Sequence, residues 1–199
     1  SHCLLAVGSI PNTQSLGLEQ LGLQTDDAGF VQVDKVSRTS VPGIYAAGDC
    51  TGVFMLASVA AQQGRIAMAH ILGDAVNPLN LEVVASNVFT SPEIATVGLT
   101  EKQIEERGLL VDIAMLPLAA NARAKMQGIH DGFVKLFVRQ GVGTIIGGVV
   151  VGPHASELIH PIALAVTTSL TADQFAETFT VYPSLSGSIG EAARHLHRR

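Results

Sequence analysis

The chain has 199 residues, 47% hydrophobic and 15% charged, with a formal net charge of -5 and a pI near 5.7. That apolar share supplies a core for one large or two small domains and argues against disorder, while the acidic balance gives no field to hold nucleic acid or an anionic membrane surface. The longest apolar runs, such as Ile145–Val151 and Ile162–Val166, are far shorter than the roughly 18 residues of a membrane span, so none is expected.

In chain order, Cys3–Val7 is an apolar run predicted to be a buried strand, stopped by Gly8 and the turn residues Pro11 and Asn12. A chain opening on such a strand, with nothing before it to pair with, is expected to be the C-terminal part of a longer polypeptide. The only cysteines, Cys3 and Cys50, make no C-x-x-C pair, which fits a reducing, cytoplasmic setting. Leu16–Asp34 predicts a short helical turn and a hairpin-like strand near Phe30–Val33, and Gly43–Asp49 a second buried strand. Met55–Leu72 predicts an Ala-rich helix with one polar face (Gln62, Gln63, Arg65), ended by Gly73. A texture change at Pro78–Glu82 predicts a domain boundary.

Beyond it, strands are predicted at Ile94–Leu99, Leu109–Leu116, Gly132–Arg139 and Gly143–Gly152. The patterns Thr100–Gln103 and Thr171–Gln174 predict capping boxes, and a further helix is expected over 156–170. The fold class is therefore α/β before the boundary and α+β after it, with strands backed by helices. Near the end, Tyr182 precedes Pro183. Proline cannot donate to a sheet and pushes its predecessor towards extended geometry, so Tyr182 is expected at a sharp corner with its phenol projecting. Ser188 and Glu191 fit a third capping box, while His195 and His197 fall on different helix faces and are expected to be solvated.

The most specific stretch is "TSVPGIYAAGDCTG", Thr39–Gly52. An apolar segment delivers Gly48 and Asp49 to its C-terminal end, where open α/β sheets place ligands; a carboxylate there accepts hydrogen bonds from sugar-like hydroxyls, and glycine permits close approach. By itself Gly-Asp after a strand also fits an ordinary turn. The whole stretch resembles the second flavin-binding motif of the flavoprotein disulfide reductases, the family of dihydrolipoamide dehydrogenase and glutathione reductase. "LLAVGSIPNT" is similar to the family's exit from its NAD(P)-binding domain, and "VFTSPEIATVGLTE", Val88–Glu101, to the opening of its interface domain.

The resemblance implies FAD and NAD(P)H as cofactors, a homodimer, and three segments: 1–8 ending the NAD(P)-binding domain, 9–78 from the FAD domain, and 79–199 forming the interface domain. It places Asp49 and Gly48 on the flavin's ribityl chain, Met55, Leu56 and Ala57 near the flavin ring, and Gly8 against the nicotinamide cofactor. No G-x-G-x-x-G and no paired redox cysteines occur in the chain. The family's proton-relay turn carries a histidine before proline and a glutamate five residues later; those positions are Tyr182 and Gly187 here. A phenol, ordinarily holding its proton to about pH 10, is poorly matched to exchanging protons with a thiolate at neutral pH. The expectation is an NAD(P)H dehydrogenase passing electrons to a quinone-type acceptor, with no metal ligands. Two alternatives stay open: a disulfide oxidoreductase of the dihydrolipoamide dehydrogenase type using another base, and, for this chain alone, a non-catalytic dimerisation module.

Overall fold

Turn chemistry, rather than strand pairing, shapes the first of the two units into which the chain divides, Ser1–Asn80 and Leu81–Arg199. The computed structural model describes residues 2–196; His197 lies outside them. Asp26 Oδ1 accepts the amides of Ala28 and Phe30, and Gly29 follows at φ 91°, so the chain reverses and Thr25 faces Val31 in an antiparallel bridge. Asp34 Oδ1 repeats the device with Val36 and Arg38, ahead of a bridge between Arg38 and Tyr45.

The strands expected at Phe30–Val33 and Gly43–Asp49 thus shrink to single bridges. Cys3–Val7 forms no strand, and Leu4, Leu5 and Val7 are exposed. An extended segment becomes a strand only beside a neighbour that takes up its amides and carbonyls, and none of the described residues pairs with this one.

The helix α1, Ala57–Ile71, buries Val59, Gln63, Ile66 and Ala67 at helical spacing. It starts two residues later than Met55, because Leu56 is still extended at φ -130°, ψ 138°. Gly73, at φ 82°, ends it as predicted: its amide donates to the His70 carbonyl, and the Asp74 amide to that of Ala69.

The second unit is built on a five-stranded antiparallel sheet in the order β1-β2-β5-β4-β3. The strands are β1 (Ser86–Val88), β2 (Glu93–Gly98), β3 (Val111–Pro117), β4 (Phe133–Arg139) and β5 (Ile145–Gly152). The helix α4 (Ala155–Thr168) packs on β2 and β5, and α6 (Gly187–Leu196) on β3 and β4, with α5 (Ala172–Glu177) against α6. Their shared core includes Ala95, Leu136, Val150, Ile162 and Ala192, all fully buried. A smaller cluster joins Phe137 to Leu99 and to Ile104 of α2 (Glu101–Glu106).

Both capping boxes at Thr100–Gln103 and Thr171–Gln174 form. The one expected at Ser188–Glu191 does not: the Ser184 hydroxyl already accepts the Gly187 amide, so Ser188 lies inside the first turn of α6. Glu191 is exposed instead and pairs with Arg194 at 2.5 Å. Two elements carry no pattern that marks them in the sequence: β1, only three residues long, and α3 (Ala122–Met126), capped by Asn121 through the amides of Arg123 and Ala124.

The start of α4 has an unusual cap. His154 offers it no side-chain hydrogen bond, and Glu93 Oε2, from β2, accepts the Ser156 amide at 2.9 Å. That amide, with the Ser156 hydroxyl, holds the Glu93 carboxyl below its ordinary 4.5. A depressed folded value means stabilisation is complete above 4.5 and is lost as the pH falls through the lower folded value. Glu93→Gln is therefore expected to flatten the loss of stability as the pH falls below 4.5, as read by urea unfolding at a series of pH values.

Candidate functional site

At the end of the Tyr45–Ala47 segment the chain turns through Gly48 at φ 91°, ψ -161°, a combination almost confined to glycine. A 3-10 turn, Asp49–Thr51, follows. The Gly48 amide donates to Gln63 Oε1 at 2.8 Å, the Gln63 Nε2 amide donates to Thr51 Oγ1 at 3.3 Å, and that hydroxyl donates to the Gly48 carbonyl at 2.7 Å. These bonds close a ring around Asp49. Its carboxylate is exposed and takes no hydrogen bond among the described residues.

Six residues after Thr51 the chain enters α1. Leu56, at its N-cap, has no side chain to accept the first-turn amides, which leaves them open. Phe54 and Met55 stand exposed beside them and Ala57 is exposed, with Leu56 half-buried. Gly48 itself packs on α1: a Cβ there would lie 3.4 Å from Ala60 Cβ. The structure thus gathers Gly48, Asp49 and the start of α1. Gly8, exposed and at φ 78°, has no hydrogen bond to them among the described residues.

In the second unit, Tyr182 projects as expected and is 85% exposed, beside exposed Phe179 and Val181. Behind it, Asn121 Nδ2 donates to the Ser184 carbonyl at 3.0 Å and to Ser188 Oγ at 2.8 Å, so one side chain ties the starts of α3 and α6. Gly187 presents no functional group, and a Cβ added there would meet nothing closer than Ser184 Oγ at 3.7 Å.

The sequence pattern misplaces one residue. Gln63 is not on the polar face with Gln62 and Arg65; it is 1% exposed, on the stripe with Val59 and Ile66. Its spacing of four from Val59 and three from Ile66 carries that signal. Among the described residues, no three His, Cys, Asp or Glu side chains cluster to hold a metal ion, and no helix is long and apolar enough to cross a membrane.

Residues 84–193 match the dimerisation domain of the pyridine nucleotide-disulphide oxidoreductases, and residues 1–64 match the pyridine nucleotide-disulphide oxidoreductase family. The chain is 57% identical over 196 residues to a Mycobacterium tuberculosis protein named NAD(P)H dehydrogenase (quinone), covering 98% of this chain and 40% of that protein. It is 41% identical over 194 residues to dihydrolipoyl dehydrogenase of Geobacillus stearothermophilus, covering 96% and 41%. The crystal structure of LpdA from Mycobacterium tuberculosis superposes with a TM-score of 0.94 at 56% identity, covering 99% of this chain and 43% of that one. The chain spans about two fifths of the length of the curated relatives it matches.

Proposed function

This chain belongs to the pyridine nucleotide-disulphide oxidoreductases, and from that premise we propose that it serves an FAD-dependent NAD(P)H dehydrogenase that passes electrons to a quinone-type acceptor. Two copies would pair through the second unit, in a cytoplasmic setting. The observation that carries the choice of acceptor is the turn at Tyr182, where a phenol and the bare Gly187 stand in place of the imidazole and carboxylate of a thiol proton relay. The relative named NAD(P)H dehydrogenase (quinone) supports the same reading.

The residues present fit the cofactor. Asp49 offers a free, exposed carboxylate to ribityl hydroxyls, Gly48 offers backbone with no Cβ, and the uncapped start of α1 offers amide hydrogens where negative charge is stabilised. Met55 and Leu56 offer apolar surface to a flat ring, and Gly8 a bare backbone to the nicotinamide. The chemistry a bound flavin supplies is acceptance of hydride from NAD(P)H and release of electrons to an acceptor. The Tyr182 phenol contributes a hydrogen-bond donor and a ring face at an exposed corner.

A positioned acid-base group typically contributes about 100-fold to 10,000-fold, so its loss is measurable. With NADH or NADPH as donor, the full-length protein is expected to reduce a quinone at least about 100-fold faster than lipoamide or glutathione disulfide in steady-state assays. Comparable turnover of the two acceptor classes would return the assignment to a disulfide reductase.

A further inference from the structure

A polar side chain buried on the apolar stripe of a helix is costly unless its hydrogen bonds are made, and among the described residues Gln63 makes them with the Gly48 turn. We infer that Gln63 is a positioning residue for the cofactor: it fixes the Asp49 carboxylate relative to the start of α1. The inference rests on the reading of Gly48–Asp49 as the flavin-facing turn.

The orientation of the Gln63 amide is set by its partners. A backbone amide only donates, so the atom 2.8 Å from Gly48 N is the oxygen, and the Gln63 nitrogen is left for Thr51 Oγ1. Thr51, itself buried, then has its proton free for the Gly48 carbonyl. Each bond in the ring thus points one way round, an arrangement in which neighbouring bonds polarise and strengthen one another.

The ring also holds a backbone shape that has little local support. At φ 91°, ψ -161° the Gly48 amide faces α1, and without Gln63 it would be a part-buried donor that loses its partner. Because residues 48 and 51 are both held by one side chain, the backbone between them is restrained, and with it the point from which the Asp49 side chain leaves the turn. Gln63 lies two turns into α1, so the carboxylate and the open amides of that helix are anchored to the same rigid element. A ligand touching both meets a preset separation, and preorganisation of this kind appears as affinity.

The test is FAD titration of full-length apoprotein. Gln63→Met, similar in volume but with no donor and only a weakly accepting sulfur, is expected to weaken FAD binding about 10-fold or more and to alter the visible circular dichroism of the bound flavin. Gln63→Glu keeps the acceptor for Gly48 and is expected to recover affinity to within about 3-fold of the parent. If Gln63→Met fails to fold, Thr51→Val, which removes the other corner of the ring, carries the same expectation. A lower melting temperature with FAD affinity and flavin dichroism unchanged would overturn the inference. Asp49→Asn separates the two levels: loss of affinity there with none in Gln63→Met sinks the positioning role alone, while no loss in either sinks the reading on which it rests.

Discussion

The Tyr182→His variant is expected to reduce lipoamide or glutathione disulfide no faster than the parent protein. On the proposed reading the relay needs two groups, an imidazole and a carboxylate that orients it, and the variant supplies one. Tyr182 is 85% exposed within its own chain and Gly187 has no side chain, so a histidine there would find no carboxylate at that position to orient its ring. Glu191 cannot substitute for the carboxylate. It lies four residues past Gly187, about 6 Å further along the helix axis, and it is engaged by Arg194 at 2.5 Å.

Gly187 is a site where a carboxylate can be built. It has no positive φ, a Cβ there clears Ser184 Oγ and Asn121 Nδ2 at 3.7 and 3.9 Å, and a negative charge in the first turn of α6 is favoured by the helix dipole. Any rise in disulfide turnover is therefore expected only in Tyr182→His/Gly187→Glu. Steady-state assays of parent, single and double variants with one NAD(P)H concentration decide it. A gain above about 10-fold in the single variant would show that the imidazole needs no orienting partner, since an acid-base group alone accounts for a factor of this kind.

How legible each feature was depends on the range of the interaction that makes it. Gly73, Thr100–Gln103 and Thr171–Gln174 act through bonds that span three or four residues, and the structure forms all of them where the pattern put them. The alternation in Phe133–Arg139 survives as far as Leu136, where one face of β4 meets α6 and the core beneath it, and ends at Phe137 and Val138, both buried, where the pairing with β5 shifts register. Cys3–Val7 and Gly43–Asp49 have equally apolar sequences, yet a strand is a property of a pair, and the described residues give them no ladder.

Ser188–Glu191 fails differently. Three serines, at 184, 186 and 188, compete to start the helix, and Ser184 prevails by taking the Gly187 amide while Asn121 engages Ser188 from 67 residues away. No local pattern contains Asn121. At the candidate site, Gly48 and Asp49 are visible because their residue types suit the chemistry, whereas Gln63 is visible only once helix spacing is weighed against polarity. A buried glutamine looks like a surface residue until its register with Val59 and Ile66 is counted.

Gly98→Ala is expected to destabilise the second unit by about 3 kcal/mol or more, a large part of the 5–15 kcal/mol typical of a folded domain. Two costs add at this position. At φ 76° an alanine is held in left-handed geometry, a strain of about 1–2 kcal/mol. Its Cβ would also lie 2.3 Å from the Ile146 carbonyl oxygen and 2.6 Å from Gly147 Cα, both backbone atoms with no rotamer to escape into. Relief requires β5 to move away, which strains the bond from the Leu99 amide to Ile146 O and the pairing of Gly98 with Gly147. The same crowding explains Gly147, whose Cβ would lie 2.5 Å from Leu99 O. Gly141→Ala separates the two costs, because Gly141 sits at φ 85° with nothing within 4 Å of its Cβ and so bears the strain alone. Urea unfolding of the two variants, compared at equal slope, gives the overlap as the difference between them. Equal losses would mean that β2 and β5 separate freely at this end, and then the sheet on which α6 and the Tyr182 turn are built is looser than its register implies.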